Sequence, residues 1–383
     1  MLALRLARGT HPLVLLRRLL VAAASAGVGF LLLCTLGHAV AHPGGSVLRL
    51  LWCAVPLAAT VHFAVAVART DPSTRPRPGL SAVGLGPARL TAIAAASTAV
   101  SCTLGSTVAL LVYLHLRGDI TGLPFDGAAA GLLAADRPLP LAAALTLLTV
   151  LPVAASAAAG LALRPRKEAP RPRGKERPPA SVPSGLPWGI TLITAGLAIE
   201  SFASRGGPGS AIPMPGHPDN SPAGVLAGWI LTALGLAVAG PALTHLCGRL
   251  LQTARPGAAR LLAGRVLMEE ARRIGRPLGV VCAVASAMIA AGSLYGDAAG
   301  PRPFGPLTGL GAALVTSCSV ATLLTAALES KHLRGDTTEA LLRLGAPARL
   351  LRASAALRAA AVVALFAPVT WGIAELAALP LTG

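Results

Sequence analysis

The chain has 383 residues, of which 54% are apolar and only 13% are charged, and its mean hydropathy is +0.68. These values exclude an ordinary soluble domain of this length. The net charge of +18 would suit nucleic acid, but aromatic residues make up only 3% of the chain, too few for base-stacking surfaces. We therefore assign the positive charge to membrane topology and contact with anionic lipids, and expect no nucleic-acid partner.

Lysine and arginine alternate with apolar segments along the chain. Of the 33 basic residues, 28 fall in five stretches, which are 1–18, 69–89, 164–177, 249–276 and 331–358. The five exceptions are Arg49, Arg117, Arg137, Arg205 and Arg302. This asymmetry follows the positive-inside rule, and it predicts a multi-pass protein of the plasma membrane with a cytoplasmic N-terminus.

The apolar segments between the basic stretches are long enough to cross about 30 Å of hydrocarbon as helices. We predict nine spans, near 19–40, 47–68, 90–116, 140–163, 186–204, 223–246, 277–296, 307–328 and 355–379. The fold class is therefore an all-α polytopic membrane protein with about nine transmembrane helices.

The first apolar segment has two interpretations. Arg17 and Arg18, the apolar run and then Ala39-Val40-Ala41 resemble a cleavable signal peptide. The run is as long as a full span, however, and it has a counterpart later in the chain. We therefore predict a retained first span.

Two basic segments carry further predictions. Residues 164–187 hold seven basic residues and seven prolines, which predicts an extended or disordered cytoplasmic linker. Residues 256–276 mix leucines with arginines, which predicts an amphipathic helix in the inner membrane interface leading into span seven. The alternative for this second segment is a positive flank with no further role.

An internal repeat organises the chain. Residues 87–90 (PARL) recur unchanged as 347–350, at an offset of 260, and residues 24–26 (ASA) recur as 285–287. Both copies have the same predicted orientation, so the duplication is parallel. The predicted domains are a first repeat with four spans, a linker, two intervening spans, and a second repeat with three spans and no fourth; their bounds are 1–163, 164–187, 188–248 and 249–383.

The segment 339–350, which reads EALLRLGAPARL, resembles the "ALLRALGA(S/T)P" segment of the FtsX-like (MacB-type) permease family. These permeases are membrane subunits of ABC transporters. Residues 80–90, reading LSAVGLGPARL, look like the first-repeat version of the same element. The family's two four-span repeats bracketing two extra spans also resemble this chain. Residues 341–347 are one or two positions shorter than the usual pattern, and a tenth span and a large external domain are absent.

The resemblance implies a non-enzymatic permease subunit that couples a separate cytosolic ATPase to movement or extraction of a lipid, lipoprotein or amphipathic peptide. No P-loop pattern G-x-x-x-x-G-K-[ST] occurs in the chain, so the ATPase would be another polypeptide. Membrane lipids, a second copy or a partner permease are the other expected neighbours. The alternative function is a degenerate or structural polytopic membrane protein without transport activity.

The resemblance also implies the site, which consists of two ATPase-coupling loops. Their candidate residues are Gly86, Pro87, Arg89, Glu339, Arg343, Gly345, Pro347 and Arg349. From the residues themselves, three leucines (341, 342 and 344) could bury one face of a short helix that Gly345 and Pro347 end. The alternative is an ordinary helix–turn–helix connection whose arginines serve topology alone.

No catalytic, cofactor or metal site is predicted. His38 and His42 have helical spacing but no third ligand nearby. Glu200 and Glu375, near the outer ends of spans five and nine, are interpreted as snorkelling residues. Too few charges lie within the spans to favour a secondary carrier. The G-x-x-x-G spacings at 224–228, 292–296 and 305–309 are interpreted as helix packing.

Overall fold

The computed structural model describes residues 12–41, 50–71, 86–120, 122, 124, 127–131, 133, 135–164, 185–205, 211–214, 217–253, 257–296 and 306–382. Within these ranges, nine helices are long and apolar enough to cross a membrane. The predicted all-α polytopic fold is therefore confirmed. A tenth helix, much shorter, precedes the last span.

The helices are numbered in chain order. The first five are α1 (Pro12–Ala41), α2 (Ala54–Thr70), α3 (Pro87–Arg117), α4 (Leu141–Leu163) and α5 (Gly185–Arg205). Two short strands, β1 (Ala211–Met214) and β2 (His217–Pro222), then pair with each other. The last five helices are α6 (Ala223–Leu251), α7 (Ala258–Gly296), α8 (Pro306–Leu333), α9 (Gly335–Arg343) and α10 (Ala348–Thr382).

Helix α7 differs from its prediction. The segment 256–276 does not form a separate interfacial helix, because one helix of 39 residues runs from Ala258 through Pro277 to Gly296. At 1.5 Å per residue it is about 58 Å long, roughly twice the hydrocarbon thickness. Its apolar face, including Ala263, Leu267 and Ala271, is buried by protein, chiefly α6, instead of lipid.

The predicted linker also ends earlier than expected. Residues 185–187 form the first turn of α5, so the helix begins within the predicted segment 164–187. Arg164, the C-cap of α4, has an extended ψ of 129°, which ends that helix. Residues 165–184 lie outside the described part of the chain.

The chain divides into two compact units. Unit 1 contains α1 to α4 and the part of α8 up to Cys318, and unit 2 contains α5, α6, α7, α9, α10 and α8 from Ser319. In unit 1, α1 packs against α2, α3 and α4, and α4 also packs against α2 and α3. Tyr113 of α3 is fully buried beside Phe30 of α1, with ring centroids 6.2 Å apart in an edge-to-face arrangement.

In unit 2, glycines allow helices α5, α6 and α7 to pack very closely. A methyl group on Gly228 of α6 would lie 2.7 Å from the carbonyl oxygen of Gly196 in α5. Gly248 of α6 stands in the same relation to the carbonyl of Gly264 in α7. Helices in lipid associate through such close van der Waals contacts. The packing interpretation therefore suits Gly228 but is wrong for Gly292, where a methyl group would have no described atom within 4 Å.

The two predicted repeats make a similar contact between their first and third spans. In unit 1, Ser25 Oγ of α1 donates a hydrogen bond to the Cys102 carbonyl of α3, at 2.8 Å. In unit 2, Ser286 Oγ of α7 donates to the Thr370 carbonyl of α10, at 3.0 Å. Both serines are buried, and both come from the sequence match at 24–26 and 285–287.

Candidate functional site

The second coupling segment is a short helix followed by a tight turn. Helix α9 has nine residues, and Gly345, just beyond its end, has a φ of 87°. The Gly345 N–H donates to the Leu342 carbonyl and the Ala346 N–H to the Leu341 carbonyl, both at 3.0 Å. This pair of bonds is a Schellman motif, whose left-handed residue is usually glycine. Gly345 thus ends α9 as the sequence predicts.

The next residues start the last span. Pro347 directly precedes α10, and its carbonyl accepts a hydrogen bond from the Leu350 N–H at 2.9 Å. Arg349 lies in the first turn of α10 and is exposed. The turn at Gly345 and the helix start at Ala348 are therefore separated by two residues, which fixes Arg349 close to the end of α9.

The outer surface of α9 is both apolar and charged. Leu344 is 85% exposed and Leu342 is 46% exposed, so no other part of the protein covers these two leucines, and their burial at the membrane interface stays a prediction. Within the protein, only Leu341 of the three is partly covered. Arg343 forms an i, i+4 ion pair with Glu339 at 2.5 Å, and both side chains are exposed. The segment thus presents leucines beside a charge pair.

The first coupling segment is described only from residue 86 onward. Gly86 is the N-cap of α3, with φ −67° and ψ 166°, and Pro87 occupies the first turn of the helix. The Gly86 carbonyl accepts a hydrogen bond from the Arg89 N–H at 3.0 Å, and the Arg89 side chain is exposed. Gly86 therefore has ordinary extended geometry, unlike Gly345. Its predicted residues belong to unit 1, and those of the second segment belong to unit 2.

An ion pair holds the second segment to span seven. Arg334, at the N-cap of α9, pairs with Glu270 of α7 through Nε and Oε1, 2.7 Å apart. Its guanidinium also donates to Ser330 of α8, to Oγ at 2.7 Å and to the carbonyl at 3.2 Å. Both ionic side chains are largely buried, so the junction between α8 and α9 is fixed against α7.

A similar ion pair lies just before the first segment. Arg18 of α1 donates to Asp71, the C-cap residue of α2, at 2.6 Å, and Asp71 is only 8% exposed. The neighbouring Arg17 donates to Thr70 Oγ1 at 3.2 Å. Sequence reasoning missed both ion pairs, because it assigned Arg18 and Arg334 to topology. An acidic residue directly after a span, inside a basic stretch, is the signal that could have indicated Asp71.

The other sequence candidates have different surroundings. Glu200 of α5 is fully buried and accepts a 2.6 Å hydrogen bond from Trp229 Nε1 of α6, so the snorkelling interpretation is wrong for it. The close approach of α6 at Gly228 covers its side chain. Glu375 is exposed. His42 lies outside the described residues, and the described part of the chain contains no cluster of three metal-ligating side chains.

Comparison with protein-family models, with curated proteins and with solved structures finds no match for this chain.

Proposed function

We propose that this chain is the permease subunit of an FtsX-like ABC transporter in the plasma membrane. It couples a separate cytosolic P-loop ATPase to movement or extraction of a lipid, lipoprotein or amphipathic peptide. The resemblance of residues 80–90 and 339–350 to that family supports the proposal. The observation that carries it is the exposed surface of α9, which is bounded by a partly buried ion pair at Arg334 and a glycine turn at Gly345.

The geometry of α9 suits force transmission. Its leucines and charge pair offer a small docking surface of mixed character, as found at protein interfaces. Movement of a docked partner would reach α7 through Arg334 and Glu270, and α10 through the short turn at Gly345. A rigid connection at both ends is what a coupling helix needs, because a flexible one would absorb the displacement.

The proposed orientation has an N-terminus in the cytoplasm. Within unit 1, contacts at Arg18–Asp71 and Thr91–Leu163 join the helix ends that border basic stretches. In unit 2, the pair Glu270–Arg334 does the same. Cysteine labelling at Ser184 and Ser210 should therefore react from opposite sides of the membrane. Labelling of both from one side would overturn the orientation around α5.

Co-purification tests the function itself. The full chain, extracted from its native membrane, should retain a polypeptide with a P-loop, and the Leu344→Asp variant should lose it. The matched control is Leu161→Asp on α4, an exposed leucine near the same predicted side. Retention by the control and loss by Leu344→Asp supports the proposal. Absence of any P-loop partner from the unaltered chain would favour the alternative, a structural membrane protein without transport.

A further inference from the structure

A groove runs between α3 and α4 of unit 1. The two helices are joined at one end, where Thr91 Oγ1 donates to the Leu163 carbonyl at 3.2 Å and Ala95 lies against Gly160. Beyond this closed end, from Ala99 toward the α3–α4 connection, the helices enclose a cavity of about 380 Å³. Its floor is the buried contact between Ser106 Oγ and the Leu148 carbonyl, at 3.1 Å.

Hydroxyl side chains line the groove without making it polar. Thr103, Thr107 and Thr149 each donate to a carbonyl of their own helix at 2.8 Å. The hydroxyl donors of these threonines are therefore satisfied, and the same three residues line the cavity together with Leu110 and Leu145. A hydrocarbon chain fits such a surface, because it leaves no polar group of the groove without a partner.

A second cavity of about 410 Å³ lies next along the same two helices. Leu114 and Leu141, which line this second cavity, are one helical turn beyond Leu110 and Leu145. Four charged side chains also line it, two of each sign, and they are Arg117, Asp119, Asp136 and Arg137. An apolar groove is thus followed along the two helices by a pocket of balanced charge.

Arg117 is held in a fixed position in this pocket. The chain turns at Gly118, whose φ is 93°, and this places Asp119 Oδ2 3.4 Å from Arg117 Nε. The Arg117 side chain is only 4% exposed; its Nη2 donates to the Arg137 carbonyl, and its buried Nε makes no hydrogen bond. The guanidinium thus has one carboxylate 3.4 Å away and a carbonyl partner, and its Nε donor is still available to an anionic oxygen such as that of a phosphate.

The dimensions match one lipid. From Ala99 to Leu110 the groove follows twelve residues of α3, and their Cα atoms span about 16 Å along the helix axis, close to the thickness of one hydrocarbon leaflet, about 15 Å. We propose that this cleft binds one zwitterionic phospholipid. Its phosphate lies at Arg117 and Arg137, its ammonium group at Asp119 and Asp136, and one acyl chain in the groove. The proposal goes beyond ATPase coupling and does not depend on it, because the isolated chain contains the whole site.

Photolabelling tests the acyl-chain groove. The full chain is placed in phosphatidylglycerol vesicles that contain a small fraction of phosphatidylethanolamine with a photoactivatable acyl chain. Cross-links should concentrate on residues 99–110 and 145–156. Thr107→Leu and Thr149→Leu fill the groove and should lower this labelling about tenfold. The control Thr146→Leu changes another exposed threonine of α4, outside the groove, and should have no effect. Labelling spread evenly over all spans, or equal loss in the control, would mean annular lipid only and overturn the proposal.

Competition tests the charged pocket. Replacing a small fraction of the host phosphatidylglycerol with unlabelled phosphatidylethanolamine should displace the probe, although phosphatidylglycerol, which has no ammonium group, is present in large excess. Asp136→Asn, at an exposed position, should reduce this preference about fivefold without changing the thermal stability of the chain. Equal competition by the two lipids would overturn the assignment of the pocket to a zwitterion. An unaltered preference in Asp136→Asn would overturn the role of the pocket carboxylates.

Discussion

In both predicted repeats an ion pair joins the first helix to a residue just after the second helix, but the positions of the acid and the base are exchanged. In unit 1 the first helix supplies the cation Arg18, and the anion Asp71 follows the second helix. In unit 2 the first helix supplies the anion Glu270, and the cation Arg334 follows the second helix. In both units the acidic partner is the more buried of the two. An ion pair therefore joins the corresponding elements of both predicted repeats, although the residue types are exchanged and the offsets differ.

Charge reversal is expected to have the largest effect on this comparison. Glu270→Arg would face Arg334 with a second cation in a largely buried position, at a cost of about 3 kcal/mol. Amide hydrogen exchange of α9 should then accelerate strongly. The double variant Glu270→Arg with Arg334→Glu restores opposite charges and should recover most of the protection.

The same experiment can be made in the first repeat. Its single variant is Asp71→Arg, and its double variant adds Arg18→Asp to restore opposite charges. Recovery in both repeats would establish the two ion pairs as equivalent ties. A double variant no better than its single parent would show that the pairing contributes nothing at that junction.

Replacing the glycine of each candidate coupling segment should destabilise one segment more than the other. The expected effect is smaller than that of the charge reversals. Gly345→Val forces a β-branched residue to a φ of 87°, which costs about 1–2 kcal/mol. The matching Gly86→Val has a φ of −67° and no described atom within 4 Å of the new methyl position, so it carries no left-handed backbone penalty and should cost less, through the weaker N-cap alone. Amide hydrogen exchange measures the local destabilisation at each turn. The amides to follow are those of Gly345 and Ala346 in the first variant, and those of Arg89 and Leu90 in the second. Equal effects at both sites would contradict the difference in turn geometry.

The two buried serine contacts should show the smallest effect. Ser25→Ala and Ser286→Ala each remove a hydrogen bond to a helix carbonyl, and such bonds contribute about 0.6 kcal/mol in membrane proteins. In thermal unfolding of the full chain, both variants should show similar, small decreases in stability. A loss several times larger in one variant would mean that the first and third helices of the two repeats are not held equivalently.

The fold class was predictable because bilayer thickness imposes a length and polarity that composition alone reveals. The turn at Gly345 was predictable for a similar reason, since a glycine followed by proline at a helix end has local causes. The full length of α7 could not be predicted from the sequence. An amphipathic pattern at 256–276 indicates that one face is covered, but it does not tell lipid from a neighbouring helix such as α6.

Contacts between distant residues were the part that sequence could not supply. Arg18 and Asp71 are 53 positions apart, and Glu200 meets Trp229 on another helix. Nothing local in either stretch of sequence requires these partners. Arg117 and Arg137 appear in the sequence only as exceptions to the positive-inside pattern. Their place in the charged pocket depends on a contact between separate segments, so it could not be predicted either.

The most direct test of the central claim measures ATP hydrolysis by the copurified ATPase in the presence of the full chain. Arg349→Glu and Arg89→Glu reverse one exposed charge in each coupling segment. The account predicts that each lowers stimulated hydrolysis severalfold at unchanged membrane abundance. The control Arg164→Glu, an exposed arginine at the end of α4 outside both segments, should leave it unaltered. Unchanged binding and hydrolysis in both variants would contradict the coupling assignment.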